Sequence, residues 1–292
     1  MKQFLTLSIT CVLSAVVAWG VVGTRIDKSG AVTVKEDKKE SVYDRVVRTD
    51  KIRCGYALEY PALDITPNSG QLSGIFYDLT QRIGDLLDFE IVWAEEAGWS
   101  DLSTGLENNR YDLACIGKWI YAPQTKGAIF TMPTYFSAVH AYTRVEEGGV
   151  KPDLSNLDSS DFTIATIDGE LNYYLAQDHF PHAKTIELPA LTDPGLLIQN
   201  ILTNKADVVF LAAGIAERFM KENPGKIKQL SEKPVAVFDT AYMVKSGEEE
   251  FVNVLNAALR QLHSDGYIRS LIKKHEGEAA YKPLRQQYSE WE

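Results

Sequence analysis

Large aromatic and charged side chains stand where short apolar segments of this chain end. Trp99 follows the loop 94–98, and Trp119 comes just after the apolar segment that ends at Gly117. Flat ring faces stack on other rings or attract a cation. A carboxylate beside such rings favours a cationic or polyhydroxy ligand over an anion. The candidate ligand-binding residues of these two kinds are Tyr56, Glu59, Tyr60, Trp99, Lys118, Trp119, Tyr121 and Glu170. Core packing of the rings, and a solvated surface for Glu59 and Lys118, remain the alternatives.

Strands and helices alternate along the chain, and this alternation positions those residues. The predicted strands are 53–56, 90–93, 112–116, 163–167, 185–188 and 208–211, and the predicted helices are 77–87, 101–108, 171–177 and 194–203, followed by amphipathic segments at 251–262 and 268–272. This order is typical of parallel α/β sheets with right-handed crossovers. Ligands of such sheets bind outside the carboxyl ends of the strands, which is where Trp99 and Trp119 fall.

A short internal repetition predicts two similar units. The segment Asn109–Asp112 leads into Leu-Ala-Cys-Ile, and the segment Asn204–Asp207 leads into Val-Val-Phe-Leu. Each follows a predicted helix and enters a predicted strand. The two aspartates are therefore expected at equivalent places in two related α/β units.

Composition excludes several classes of protein. The 292 residues are 45% hydrophobic and 24% charged, which is typical of a globular protein with two domains. The net charge of −10 comes without a basic cluster, so nucleic acid is not an expected partner. Three cysteines and five histidines predict no metal site, and no cofactor is predicted. The chain lacks a glycine-rich phosphate loop, a His-Glu-x-x-His pattern and a Gly-x-Ser-x-Gly elbow, so we expect no enzyme of those classes.

The first 23 residues have the pattern of an export signal. Lys2 is followed by an uncharged, largely apolar run from residue 3 to residue 23. We expect cleavage near Ala18, and the alternative is an uncleaved anchor formed by residues 4–23. Both interpretations place the rest of the protein outside the cytoplasm, in a periplasm. Residues 24–45 are polar and are predicted to be a linker.

Several segments together resemble family 3 extracellular solute-binding proteins, the amino-acid-binding components of ABC importers. The resembling segments, within about residues 46–277, are Tyr60-Pro61, Gly70–Leu79, Leu106–Gly117, Phe130–Phe136, Asn204–Phe210 and Leu262–Ile268. The resemblance implies a two-lobed α/β fold of the type II periplasmic-binding-protein kind, with the ligand in a cleft between the lobes. Lobe 1 would comprise 46–141 plus 242–292, and lobe 2 would comprise 142–241. Two hinge strands would cross near His140–Arg144 and Asp239–Met243.

The charged positions that this family uses to hold an amino acid are changed here. The threonine and arginine that hold the carboxylate correspond to Tyr121 and Gln124. The glycine–threonine pair corresponds to Gly169 and Glu170, and the acidic residue that takes the ammonium corresponds to Ala212. Gly117 fits a position where the backbone approaches the ligand closely. The resemblance therefore implies a solute-binding protein whose ligand is not an ordinary α-amino acid.

The expected partners are a small-molecule solute and an ABC permease in the inner membrane, with the protein itself a monomer. Two other functions stay open. One is a periplasmic lyase of the cyclohexadienyl dehydratase kind, in which Glu170 or Glu59 would be a general acid. The other is an anchored sensory binding module.

Cys54 and Cys115 lie in strands that this fold would place side by side. Buried cysteines are usually small apolar fillers, whereas export makes a disulfide feasible. The sequence leaves both alternatives open.

Overall fold

The computed structural model describes residues 40–122, 127–145, 152–189, 192–275, 277 and 281–284. The described residues from Ser41 onward belong to one compact unit. The predicted export signal, and the predicted linker as far as residue 39, lie outside the described residues. Within the described ranges, no helix is long and apolar enough to cross a membrane.

Eight helices and thirteen strands occur in the part of the chain that the structure describes. The helices are α1 (Val42–Thr49), α2 (Ile75–Leu87), α3 (Leu102–Glu107), α4 (Leu171–His179), α5 (Leu196–Leu202), α6 (Ala213–Glu222), α7 (Glu249–Ser264) and α8 (Tyr267–Lys274). The strands are β1 (Lys51–Tyr56), β2 (Asp64–Ile65), β3 (Leu72–Ser73), β4 (Glu90–Glu96), β5 (Leu113–Trp119), β6 (Ala128–Phe130), β7 (Tyr135–Arg144), β8 (Thr163–Ile167), β9 (Lys184–Leu188), β10 (Val208–Ala212), β11 (Ile227–Gln229), β12 (Ala236–Lys245) and β13 (Tyr281–Lys282).

Two long antiparallel strands connect the two ends of the main sheet. The strand order is β4-β1-β5-β12-β7-β10-β8-β9, and β6, β11 and β13 pair alongside it. Strands β1, β4 and β5 are parallel to one another at one end, and β8, β9 and β10 are parallel at the other. Strands β7 and β12 pair with each other between them. The predicted crossings His140–Arg144 and Asp239–Met243 lie in these two strands. The α/β fold with two connecting strands is thus confirmed.

The apolar side chains form separate clusters at the two ends of the sheet. One cluster joins α1, α2, α3, α7 and α8 to the sheet end that contains β1, and it includes Ile52, Leu79 and Leu255. Two further clusters lie on β8 and β10, around Phe210 and around Ile198. This separation supports the predicted two lobes, whose limits at 141/142 and 241/242 stay a prediction.

The predicted linker ends earlier than expected. Ser41 begins α1 with a capping box: its hydroxyl accepts the backbone N–H of Asp44, whose carboxylate accepts the N–H of Ser41. Arg45 then forms an ion pair with the fully buried Asp112. The assignment of residues 42–45 to a linker is therefore wrong, because local capping and a distant ion pair order this polar segment.

The repeated sequence segments have the same structure. Asn109 and Asn204 both adopt the left-handed conformation, with φ of 55° and 57°. The aspartate three residues later is in each case fixed to the neighbouring parallel strand. Asp112 accepts the backbone N–H of Arg53 at 2.7 Å, and Asp207 accepts that of Thr163 at 2.8 Å. The repetition therefore reflects one turn that is used twice to align adjacent strands.

A disulfide joins Cys54 to Cys115. The two residues lie on the neighbouring strands β1 and β5, with their Cα atoms 5.3 Å apart, and both are fully buried. Of the two alternatives that the sequence leaves open, the structure shows the bonded one.

We predict that this disulfide makes a large contribution to stability. It closes a loop with a sequence separation of 61 residues. Restricting the unfolded chain over such a loop is worth about 4 kcal/mol in the chain-entropy description. Denaturant unfolding of the wild type should therefore move to a lower midpoint in the presence of a reductant. The double variant Cys54→Ala/Cys115→Ala is the control, because its midpoint should not respond to reductant. Equal midpoints for the oxidised and reduced wild type would contradict the prediction.

Candidate ligand-binding cleft

A cavity lies where strands from both ends of the sheet terminate. It has an empty volume of about 720 Å³. The side chains around it come from the loops after β1 and β4, from β5 and the segment after it, from β7, from β8 and β10 with the helices that follow them, and from the segment before α5. The lining residues are Glu59, Trp99, Gly117, Lys118, Trp119, Tyr121, Val139, Ile167, Glu170, Leu171, Asn172, Pro194, Phe210, Leu211, Ala212 and Ile215. We call this cavity the inner cleft.

Glu59 is fixed by its own backbone. It follows β1 and forms a two-bond bridge with Leu63, in which each backbone N–H donates to the other residue's carbonyl at 2.8 Å. The side chain keeps part of its surface open to the inner cleft. The bridge fixes the backbone from which the Glu59 side chain enters the cleft.

Lys118 and Trp99 form one unit on the same side of the cleft. Lys118 lies near the end of β5, and its ammonium donates to the Trp99 carbonyl oxygen at 3.4 Å. The same nitrogen lies 5.4 Å from the centre of the Trp99 ring. A cation over an indole face is attracted by the ring's electron density. Trp99 therefore holds Lys118 and forms part of the cleft wall.

Glu170 enters the cleft from the other end of the sheet. It follows β8 and immediately precedes α4. Gly169 before it has φ of +71°, a conformation that glycine adopts without strain, and an added Cβ would meet no neighbouring atom. Gly169 does not line the cleft. Its function in the structure is to turn the chain so that Glu170 reaches the cavity.

The two carboxylates and the ammonium influence one another's ionisation. Loss of hydration, together with the charge of Glu170, raises the pKa of the Glu59 carboxyl to about 7, and Lys118 opposes this increase. Loss of hydration also raises the pKa of Glu170 and lowers the pKa of Lys118. The attraction between Lys118 and the two carboxylates acts in the opposite direction. Two acids therefore share one counter-ion in surroundings that disfavour charge.

Trp119 and Tyr121 line the cleft and contact residues from further along the chain. The Trp119 ring stacks on Phe238, with ring centres 5.6 Å apart. The Tyr121 ring lies 5.1 Å from that of Tyr174, and its hydroxyl donates to Asp178 at 2.9 Å. These contacts orient both rings. Trp119 therefore both lines the cleft and packs against the apolar core.

Gly117 and Ala212 are the two small residues among the predicted ones that line the cleft. A Cβ on Gly117 would overlap the side chains of Thr240 and Phe76, so packing against β12 and α2 requires glycine here. Close approach of a ligand is not needed to explain this residue. Ala212 ends β10 and is buried, and it contributes only a methyl group.

Among the described residues, three predicted ones do not line the inner cleft: Gly169, Tyr56 and Tyr60. Tyr56 packs edge-on against Trp93, with ring centres 5.5 Å apart. Its position on β1 directs it into this packing and away from the cavity. Tyr60 lies in an adjoining cavity of about 1000 Å³, which shares Glu59 with the inner cleft. Gln124 lies outside the described residues.

An arginine that lines the adjoining cavity bridges two segments of the chain. Arg218 on α6 lies 4.9 Å from the centre of the Tyr60 ring. Its guanidinium donates to Asp64 on β2 at 3.3 Å and to Glu222 at 3.4 Å. These residues are partly exposed. The bridge therefore joins segments that are far apart in sequence, and its charged groups stay in contact with solvent.

Sequence reasoning missed several lining residues. Ile167 and Phe210 lie at or near the carboxyl ends of β8 and β10, and Asn172 accepts the backbone N–H of Ile167 at 2.9 Å. The rule that ligands bind at the ends of parallel strands would have indicated the first two. Within the described ranges, no group of three or more metal-binding side chains is present.

We predict that Glu59 makes stability depend on pH. The charged and titratable groups near it are Glu170, Lys118 and the buried phenols of Tyr135 and Tyr281. Because its pKa is about 7 in the folded state against an ordinary 4.5, the folded state binds its proton more tightly. The protonated carboxyl therefore contributes to the free energy of unfolding, and this contribution is lost as the pH rises from about 4.5 to 7.

Glu59→Gln should therefore melt at a higher temperature than the wild type at pH 8 and at a similar temperature at pH 4. The exposed Glu232→Gln is the control and should show no such pH-dependent difference. A Glu59→Gln variant that is no more stable than the wild type at pH 8 would show that this carboxyl is well solvated.

Comparison with known proteins gives a consistent result over most of the chain. A sequence model of the bacterial extracellular solute-binding proteins, family 3, matches residues 52–278. A probable histidine-binding protein of Campylobacter jejuni is 21% identical over 225 residues, which are 77% of this chain and 84% of the relative.

Two solved structures share the fold. The first is an ancestral amino-acid-binding protein, a precursor of cyclohexadienyl dehydratase. It has a TM-score of 0.68 at 19% identity and covers 80% of this chain and 98% of its own. The second is an amino-acid ABC transporter substrate-binding protein of Streptococcus pneumoniae bound to L-arginine. It has a TM-score of 0.66 at 16% identity and covers 82% and 100%. With the family match extending over more than half of the chain, this protein belongs to the family 3 bacterial extracellular solute-binding proteins.

Proposed function

We propose that this protein captures a small cationic solute that carries a ring or other flat apolar group. It would act in the periplasm, as a monomer, and deliver the solute to an ABC permease in the inner membrane. The observation that carries the proposal is the pair of carboxylates, Glu59 and Glu170, in a cleft whose described lining contains one cation, Lys118. The cleft thus has an excess of negative charge beside aromatic rings.

The cleft is poorly suited to the carboxylate of an ordinary α-amino acid. Tyr121 stands where the family has a threonine, and its hydroxyl donates to Asp178. Glu170 replaces a hydroxyl donor with a negative charge that repels a carboxylate. Burying a carboxylate without adequate donors costs several kcal/mol. Ala212 offers no charge to an ammonium, although Glu59 and Glu170 do. We therefore expect an amine without an α-carboxylate.

The ligands named for two relatives agree with a cationic solute. One is named as a histidine-binding protein, and another was solved with L-arginine, whose side chain is a cation. A fold that holds such side chains needs little change to hold a free amine. What differs here is the set of groups that would hold the other end of an amino acid.

A lyase is the second candidate, and one observation favours it. The pKa of about 7 for Glu59 suits a general acid near neutral pH, since efficient proton transfer requires a pKa close to that of the medium. The ancestral structural relative is described as a precursor of a dehydratase. Conversion of a cyclohexadienyl substrate to an aromatic product, lost in Glu59→Gln, would favour this function over solute capture.

We predict that ring-bearing amines bind more tightly than any of the twenty standard amino acids. Isothermal titration at pH 8 with benzylamine, phenethylamine and the amino acids makes the comparison. An ordinary amino acid would lose the charge-assisted contacts to its carboxylate, and each 1.4 kcal/mol lost weakens binding about tenfold. A submicromolar dissociation constant for any amino acid would contradict the proposal.

Trp99→Ala, in the same titration, tests how much the aromatic ring contributes to amine binding. Loss of a desolvated cation–ring contact of about 2 kcal/mol should weaken amine binding by on the order of 30-fold. Tyr56→Leu is the matched control, because Tyr56 packs on Trp93 outside the inner cleft.

Small-angle scattering of the amine complex should also show compaction, as expected for closure about two connecting strands.

A further inference from the structure

The position of Lys118 has a consequence for which solutes the inner cleft selects. Its ammonium is tethered to Trp99 through the carbonyl oxygen at 3.4 Å and the ring face at 5.4 Å. Both residues belong to the same end of the sheet. Lys118 is therefore a built-in part of the wall, and its ammonium is held in one place.

The two carboxylates are not directly paired with this ammonium. Glu59 and Glu170 each act electrostatically on Lys118, yet no ion pair within 4 Å joins them to it in the described structure. Glu59 follows β1 and Glu170 precedes α4, so the acids approach the cavity from different ends of the sheet. The carboxylates are therefore available to a solute. The nearby ammonium reduces the negative potential that the two carboxylates produce in the cleft.

We propose that Lys118 is the specificity-determining residue that sets the charge of the solute, by cancelling one of the two carboxylate charges so that the cleft selects a single positive charge. This inference rests on the proposed capture of a cationic solute and adds the number of charges. When all three groups are ionised, the lining has a net charge of −1. A singly charged solute completes the balance, whereas a doubly charged one leaves an excess positive charge away from bulk water.

Removing Lys118 should reverse this selection. Without the ammonium, two carboxylates share the cleft with no counter-ion in its described lining, and a solute with two positive charges then fits best. Lys118→Met keeps most of the apolar stem of the side chain and removes the charge. Lys118→Arg retains the charge. Lys118→Met/Glu170→Gln restores the net charge of −1 with a different set of residues.

The test uses two probes that share a ring and differ in charge, benzylamine and p-xylylenediamine. Isothermal titration at pH 8 gives the ratio of their dissociation constants for each variant. We expect Lys118→Met to shift this ratio at least about tenfold towards the diamine. The ratio should stay near the wild-type value in Lys118→Arg, in the double variant, and in Lys184→Met, which removes an exposed lysine of β9.

The outcomes separate this inference from the proposed function. If the amines bind and the ratio in Lys118→Met stays within about threefold of the wild type, Lys118 does not set the charge, and the inference alone is overturned. A shifted ratio that the double variant does not reverse also overturns it, because charge balance would then not be the cause. If neither amine binds the wild type and an amino acid does, the proposed function fails and the inference fails with it. A melting curve for each variant verifies that it is folded.

Discussion

Two carboxylates must share one ammonium in the inner cleft, and the rest of the structure serves to bring these three groups together. Strands β7 and β12 run between the two ends of the sheet, so strands from both ends terminate at the same cavity. Lys118 lies at the end of β5, and Glu170 follows β8. The repeated turn at Asp112 and Asp207 aligns the first strand of each end with its neighbour. The connectivity of the sheet thus imposes the charge arrangement.

The proposed charge arrangement differs from the pattern that the family resemblance implies for amino acids. That pattern places a cation for the carboxylate and an acid for the ammonium. Here the cation, Lys118, is tethered to Trp99 and faces two acids, so the excess charge is negative. Aromatic rings exclude water from the same space, which strengthens every charge interaction within it. The flat cation that we propose as the solute would satisfy both conditions.

The sequence predicts β1, β4, β5, β8, β9 and β10 and most helices to within a few residues, because apolar periodicity and the turn at Asn109 and Asn204 are local signals. It does not predict α1 or α6, and the connecting strands β7 and β12 are expected only as crossings that the family resemblance implies. The set of cleft residues is only partly predictable. Tyr56 and Trp99 are both aromatic and both lie near strand ends, and only packing decides that Tyr56 contacts Trp93 while Trp99 faces the cavity. Gly117 is explained by Phe76 and Thr240 beside it, which are distant in sequence. Contacts of that kind leave no local pattern.

The most direct test of this account is the ionisation of Glu59 itself. Carbon-13 NMR of the glutamate side-chain carboxyls, with the Glu59 signal assigned by its loss in Glu59→Gln, gives the titration midpoint. The account predicts a midpoint near 7 in the wild type and a lower one in Glu170→Gln, because loss of the neighbouring charge removes the repulsion. A wild-type midpoint near the ordinary value of 4.5 would contradict the claim that the two carboxylates share a poorly hydrated cleft with too little positive charge.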